Sequence, residues 1–236
     1  MKILTLNCQR GYRKEKLAEY LSRQLQQGKY DYILLQELDE ETVKIFNNTQ
    51  YSITALDADM VSSSSVGIAW KEDSNVENIF RIPFEKEVTP LHTYSFGVVA
   101  LQDGDKIIAS IHMPAYFLNF HNRFKYLIKT FNFLDEHVPG KQTIIGGDWN
   151  SIMPFERKYL EQAVSKQYKL YAPTEFTYDP SLIEPGLFWN EVCRTVTKVV
   201  CPTFILDYFI SNFPLESTPI VLNNIVSDHY PVEIDI

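Results

Sequence analysis

Ile144-Ile145-Gly146-Gly147-Asp148-Trp149-Asn150 is the stretch that decides the fold. Its apolar start predicts a buried strand, and the two glycines let the backbone approach a neighbour closely. Asp148 and Asn150 are two apart, so they share a face if the chain stays extended. Leu4-Thr5-Leu6-Asn7, Leu34-Leu35-Gln36-Glu37, Ile111-His112 and Ile205-Leu206-Asp207 follow the same plan, and Ser227-Asp228-His229 lies between two further apolar segments. Strands that stop at polar residues deliver those residues to one rim of a sheet. Hard oxygen ligands and two histidines gathered there are the side chains that a divalent cation acting on a phosphate requires.

The chain around these runs is long enough for one large domain, at 236 residues. A hydrophobic fraction of 45% with 22% charged residues is that of a soluble globular protein. The formal net charge of −8 means no basic face dominates, so a polyanionic substrate needs local help from a metal or a small basic cluster. Cys8, Cys193 and Cys201 are odd in number and have no zinc-site spacing, which suits free thiols in a reducing compartment. The apolar run at Ile3–Leu6 is too short for a signal peptide, and no segment approaches a membrane span. A single cytoplasmic domain over 1–236, monomeric, is expected.

Periodicity predicts strands at 2–6, 31–36, 66–71, 96–101, 106–112 and 142–147, then at 204–211, near 220–226 and at 231–236. Gln102-Asp103-Gly104-Asp105 reads as a hairpin turn. Helices are predicted at 13–27, with Leu17, Tyr20, Leu21 and Leu25 as one stripe, in a short segment from Glu40, at 122–137, and at 155–167. The stretch 168–202 reads as irregular. Many strands, interspersed helices and a tight hairpin predict mixed sheets covered by helices.

Taken singly, each polar strand end has a plain structural explanation: a solvated glutamate for Glu37, a turn for Asn7, a loop for Asp228-His229. Their order is more specific. From Asn7 through Gln36-Glu37, His112-Met113-Pro114, the Gly-Gly-Asp-Trp-Asn motif and Ile205-Leu206-Asp207 to Ser227-Asp228-His229, the chain resembles the endonuclease/exonuclease/phosphatase superfamily. The resemblance covers nearly the whole chain. It implies an α+β, four-layer α/β/β/α sandwich, with two mixed sheets face to face and helices outside.

The resemblance also implies roles. Glu37 would be the principal Mg²⁺ ligand, with Asn7 beside it and Asp228 as a second metal-side carboxylate; Mn²⁺ would substitute for Mg²⁺. Asp148 and Asn150 would position the attacking water and the scissile phosphate. His112 would face the phosphate. His229, oriented by Asp207, would donate to a phosphate oxygen or transfer a proton. The general base is open between Asp148 and His229. Arg123 would reach the phosphate or stand solvated on the first turn of its helix. One departure is visible: where secreted relatives carry a glutamate that supports the first histidine, Ser62–Ser65 offers only hydroxyls.

The expected activity is hydrolysis of a phosphodiester, with DNA or RNA as the leading substrate. The alternatives are a phosphomonoesterase or lipid/inositol phosphatase on the same residues, or a noncatalytic binding module. The aromatic segment between Asn150 and Asp207 is expected mostly to pack, with Pro173-Thr174 and Arg194–Lys198 on the substrate side. Trp149 is expected in the core.

Overall fold

The computed structural model describes residues 1–9, 13–57, 63–88, 93–114, 120–151, 154–164, 167–179 and 204–236. Two parallel crossover units frame it. In the first, strand β1 (Lys2–Asn7) leads through helix α1 (Lys14–Gln27) to β2 (Tyr32–Leu38), parallel to β1 with Asn7 opposite Gln36. In the second, β7 (Lys106–His112) leads through α3 (Phe120–His137) to β8 (Gln142–Asp148), parallel with His112 opposite Asp148. Parallel crossovers bring both carboxyl ends to the same edge, so each unit presents its polar residues on one rim.

The remaining strands tie these units together. A short helix α2 (Glu40–Lys44) and β3 (Tyr51–Ala55) precede β4 (Ser63–Lys71). β4 runs antiparallel to β2 and β3, and pairs with β6 (Thr93–Asp103) at Ser63–Thr93 and Ser64–Tyr94. β6 is antiparallel to β7 and to the long β5 (Val76–Val88). After α4 (Pro154–Val164) come β9 (Lys169–Tyr171) and β10 (Asp207–Ser211), which continue the edge beside β8. β11 (Ile220–Val221) and β12 (Val232–Asp235) close the other edge beside β1. The result is a mixed-sheet α+β fold. The two strand groups lie on one continuous hydrogen-bonded path, joined where β4 pairs with β6.

Alternation sorts the core. Leu4, Leu6, Ile33 and Leu35 pack on Leu17, Leu21 and Leu25 of α1. Ile107, Ala109 and Ile111 pack with Leu127 and Leu134 of α3, and Trp149 joins this cluster. The intervening positions Ile3 and Leu34 meet Val99, Ile108, Ile144 and Phe209 in a third cluster that joins the two strand groups. Among the described residues no helix is long and apolar enough to cross a membrane.

The long strand β5 and the short β3 and β9 were not legible in sequence. β5 contains Pro83, has two register shifts against β6 and is largely exposed, so no apolar period marks it. Cys193, Cys201 and Arg194–Lys198 lie outside the described residues.

Candidate active site

Three registers that line the inter-strand core run on to polar residues at its rim. Ile3-Thr5-Asn7, Ile108-Ser110-His112 and Ile144-Gly146-Asp148 keep one parity, so Asn7, His112 and Asp148 face the same space. Asp207 keeps the parity of Phe209 on β10, opposite Asp148.

Glu37 has the wrong parity, since strict alternation from Leu34 would turn it toward α1. The pairing of β2 with β4 slips between Leu35 and Leu38, and Glu37 has φ 49°. Beyond this bulge Leu38 joins the α1 cluster, so the facing of the strand has reversed and Glu37 turns to the rim. Asn150 likewise sits at φ 48°, with its backbone N–H donating to Asp148 Oδ1 at 2.9 Å. Left-handed backbone at two non-glycine residues of one site is strain that the surrounding structure holds in place.

Side-chain bonds knit the rim. Asn7 Nδ2 donates to Glu37 Oε1 at 3.3 Å and to Asp148 Oδ2 at 3.0 Å. The same Asp148 oxygen lies 3.6 Å from His112 Nε2 and 3.8 Å from His229 Nε2. His229 Nδ1 donates to Asp207 Oδ2 at 2.8 Å. Asn150 Nδ2 donates to the Met113 carbonyl at 2.6 Å, which anchors the segment after His112. Asp228 accepts from the Ser227 hydroxyl at 3.1 Å, and its N–H donates to Gln9 at 3.2 Å.

Charge separates the two histidines. Burial pushes His112 down to about 3, and repulsion from His229 adds to the effect, so His112 is neutral. For His229 burial works against the charged form, but Asp207, Asp148 and Asp228 overcome it and hold the imidazole well above its usual range. Burial, with Asp207 adding to it, raises Asp148 to about 7 against the lowering effects of His229, the Asn150 N–H and the Asn7 amide. Burial also raises Asp228.

This donor set fits a divalent cation. Carboxylate oxygens of Asp148 and Asp207 lie within 4.8 Å of each other beside the His229 ring, and Asp207 Oδ1 is buried without a hydrogen-bond partner. Buried carboxylates clustered around a single charged imidazole are costly unless a cation joins them. The compact group differs from the Asn7, Glu37 and Asp228 set expected from sequence. Asn7 and Glu37 connect to it through the Asn7–Asp148 bond.

Solved structures with the same arrangement of chain decide the fold. An endonuclease/exonuclease/phosphatase family protein from Leptotrichia buccalis matches at TM-score 0.66 and 20% identity, over 100% of this chain and 99% of that one. One from Bacteroides thetaiotaomicron matches at TM-score 0.71 and 13% identity, over 99% and 96%. This chain has the endonuclease/exonuclease/phosphatase, or DNase I-like, fold. D. rerio TDP2, solved with a single-strand DNA product, shares that DNase I-like arrangement at TM-score 0.68 and 14% identity, over 99% and 97%. No family model and no curated protein matches the sequence.

Arg123 and Trp149 end elsewhere than the phosphate side of this DNase I-like rim. Arg123 is buried, paired with Glu156 of α4, and donates to the Pro114 carbonyl at 3.2 Å, so the phosphate contact expected of it is replaced by an ion pair between helices. Trp149 lies in the core, as expected, stacked on Tyr208 with its Nε1–H on the Tyr208 carbonyl at 2.9 Å. Thr177 carried no mark in the sequence. Its buried Oγ1 accepts from the backbone N–H groups of Leu206 and Asp207 at 2.8 and 3.0 Å. Tyr178 packs edge-on against His229 at 5.0 Å. A threonine between two aromatics has no signal of its own; the bridges of Tyr178 to Phe204 and to His229 bring it beside Asp207.

Proposed function

We propose that this protein is a divalent-metal-dependent phosphoesterase that hydrolyses a phosphodiester by in-line attack of water, with nucleic acid as its leading substrate class. The observation that carries this reading is the meeting of Asn7–Glu37 and Asp207–His229 on the two sides of Asp148. The three core clusters also support a four-layer α/β/β/α arrangement behind the rim. A cytoplasmic monomer goes with this reading.

Glu37, Asn7 and Asp228, together with the Asp148 side of the group, would hold Mg²⁺ or Mn²⁺. When bound, the cation supplies charge neutralisation at the phosphate oxygens and the leaving oxygen. Asp207 keeps the His229 ring oriented and charged, so its Nε2–H donates to a nonbridging oxygen as negative charge grows there. Neutral His112 donates on the other side. Asp148 accepts the proton of the attacking water, helped by the Asn7 amide that fixes its carboxylate. Asn150 holds the backbone between Met113 and Asp148. Arg123, held by Glu156, supports the same segment through Pro114 and acts on the phosphate only through that placement.

The test is a substrate panel of single- and double-stranded DNA, abasic DNA, RNA, phosphomonoesters and inositol phosphates, with Mg²⁺ or Mn²⁺ and an EDTA control. The expected result is metal-dependent cleavage of nucleic acid, abolished by EDTA and weakened by rising salt. Cleavage of small phosphomonoesters alone, with flat salt dependence, would move the protein to the phosphatases. Absence of metal-dependent hydrolysis throughout would sink the reading.

A further inference from the structure

Directly beneath the rim residues lies a layer the proposed chemistry leaves unused: Thr5, Gln36, Ser110 and Gly146. Gln36 is fully buried there. Its Oε1 accepts from Thr5 Oγ1 at 3.3 Å, and its Nε2 donates to Ser110 Oγ at 3.0 Å. Ser110 Oγ donates in turn to the Leu35 carbonyl at 3.3 Å. One amide therefore joins β1 and β2 to β7. Between the named strands, described backbone pairing across the two groups is at β4–β6; outside them Thr177 and Asp179 bond the Asp228–Tyr230 segment at the rim, while Gln36 makes its link beneath the site.

That link has a spatial consequence. Asn7 and Glu37 stand on one strand group, and His112 and Asp148 on the other. The apolar cluster between the groups is non-directional and does not by itself set their separation to fractions of an ångström. The Gln36 amide is directional, and β8 closes on it. A Cβ at Gly147 would lie 3.0 Å from Gln36 Nε2 and 2.1 Å from the Ile111 carbonyl oxygen, so only glycine permits this approach.

We infer that Gln36 is a positioning residue that sets the spacing between the Asn7–Glu37 side and the His112–Asp148 side of the site. Its effect on turnover rests on the proposed function; its effect on geometry does not. The Thr5→Val, Gln36→Leu, Ser110→Ala variant removes the link without stranding a buried polar partner, a change that is close to neutral for stability. Its Tm should match the native protein. Its kcat on a small phosphodiester, bis(p-nitrophenyl) phosphate, should fall at least about tenfold, with KM changed much less. Ser110→Thr, which keeps the hydroxyl, should retain native kcat.

A second measurement reads geometry without catalysis. Hydrogen exchange of the Asn7 side-chain amide, followed by NMR, should quicken at least about tenfold as the Asn7–Asp148 bond loosens. Should the triple variant not fold, Ser110→Ala alone, with both readouts, replaces it. A folded variant with native kcat, or with native Asn7 exchange, overturns the inference. A native protein without metal-dependent hydrolysis overturns the proposed function instead, and the Asn7 exchange then decides the role of Gln36.

Discussion

β1 ends in a polar cluster at each terminus, and the two are built on opposite principles. At its start, Glu233 accepts from Lys2 Nζ at 2.9 Å, Lys29 Nζ at 2.8 Å and the Tyr30 hydroxyl at 2.6 Å. Asp31 beside it is met by Lys71 at 2.9 Å and by the Lys2 N–H at 2.7 Å. Both carboxylates there have a cation. At its end, Asp148, Asp207 and Asp228 gather around His229, the charged imidazole of the rim. The first cluster closes the fold, because β12 is held against β1 and the chain after α1. The second keeps a surplus of negative charge that an incoming cation relieves. Matched buried charge is architecture, and unmatched buried charge is a site.

The largest effects should come from the surplus end. Glu37→Ala and Asp148→Asn should each lower turnover by at least ~10²-fold. Asp148→Asn should also leave the metal-free Tm equal or higher, since it removes a repelling charge. A loss of Tm comparable to that at the Glu233 end would break the contrast. Next, Asp207→Asn should cost ~10²-fold in kcat. Because Asp207 helps hold His229 charged, the high-pH limb of the rate profile should also move to lower pH; an unmoved limb would take the charged His229 out of the mechanism.

Glu233→Gln should act in the other direction, costing about 1–2 kcal/mol by denaturant titration with turnover unchanged. The smallest and most diagnostic effect is on pH dependence without metal. Lys29, Tyr30 and Lys2 outweigh burial and hold Glu233 below its usual range, and the Lys2 N–H and Lys71 do the same for Asp31. Their stabilisation is present above the unfolded carboxylate values and is lost as pH falls through the folded ones. Asp148 and His229 are raised, so their contributions are present at low pH and are lost as pH rises, through about 7 for Asp148. Metal-free Tm should therefore peak in mildly acidic solution and decline toward pH 8, and Mg²⁺ should restore it there. A Tm that climbs steadily to pH 8 without metal would show that the site carries no surplus.

What could be read in advance follows from burial. β7 was legible to its last residue because its apolar run is bounded by a Gly turn and by His112. Helix α1 was legible because Gly28 adopts a left-handed conformation at its end. Asn7, His112 and Asp148 were legible as strand ends, whereas Asp207 opens β10 and Asp228 and His229 stand in the bend before β12. How Glu37 reaches the rim was not, because the bulge that turns it depends on β4, a strand distant in sequence. Arg123 read as solvated or phosphate-facing because its partner Glu156 belongs to another helix. Gln36 read as part of a motif, and its link to Ser110 exists only once the strand groups meet.

β5 has one further consequence. It lays 13 residues along β6 as its sheet partner, and Ile79 and Val88 are exposed on it. Such an edge invites another chain to add a strand. Arg81 reaches across to the Ala55 carbonyl at 2.8 Å, Lys86 pairs with Asp57, and Pro83 withholds a donor, so the edge is guarded largely by charge. Near the isoelectric point of about 5.2 the molecules no longer repel one another, and this flank is where self-association and precipitation of the protein should begin.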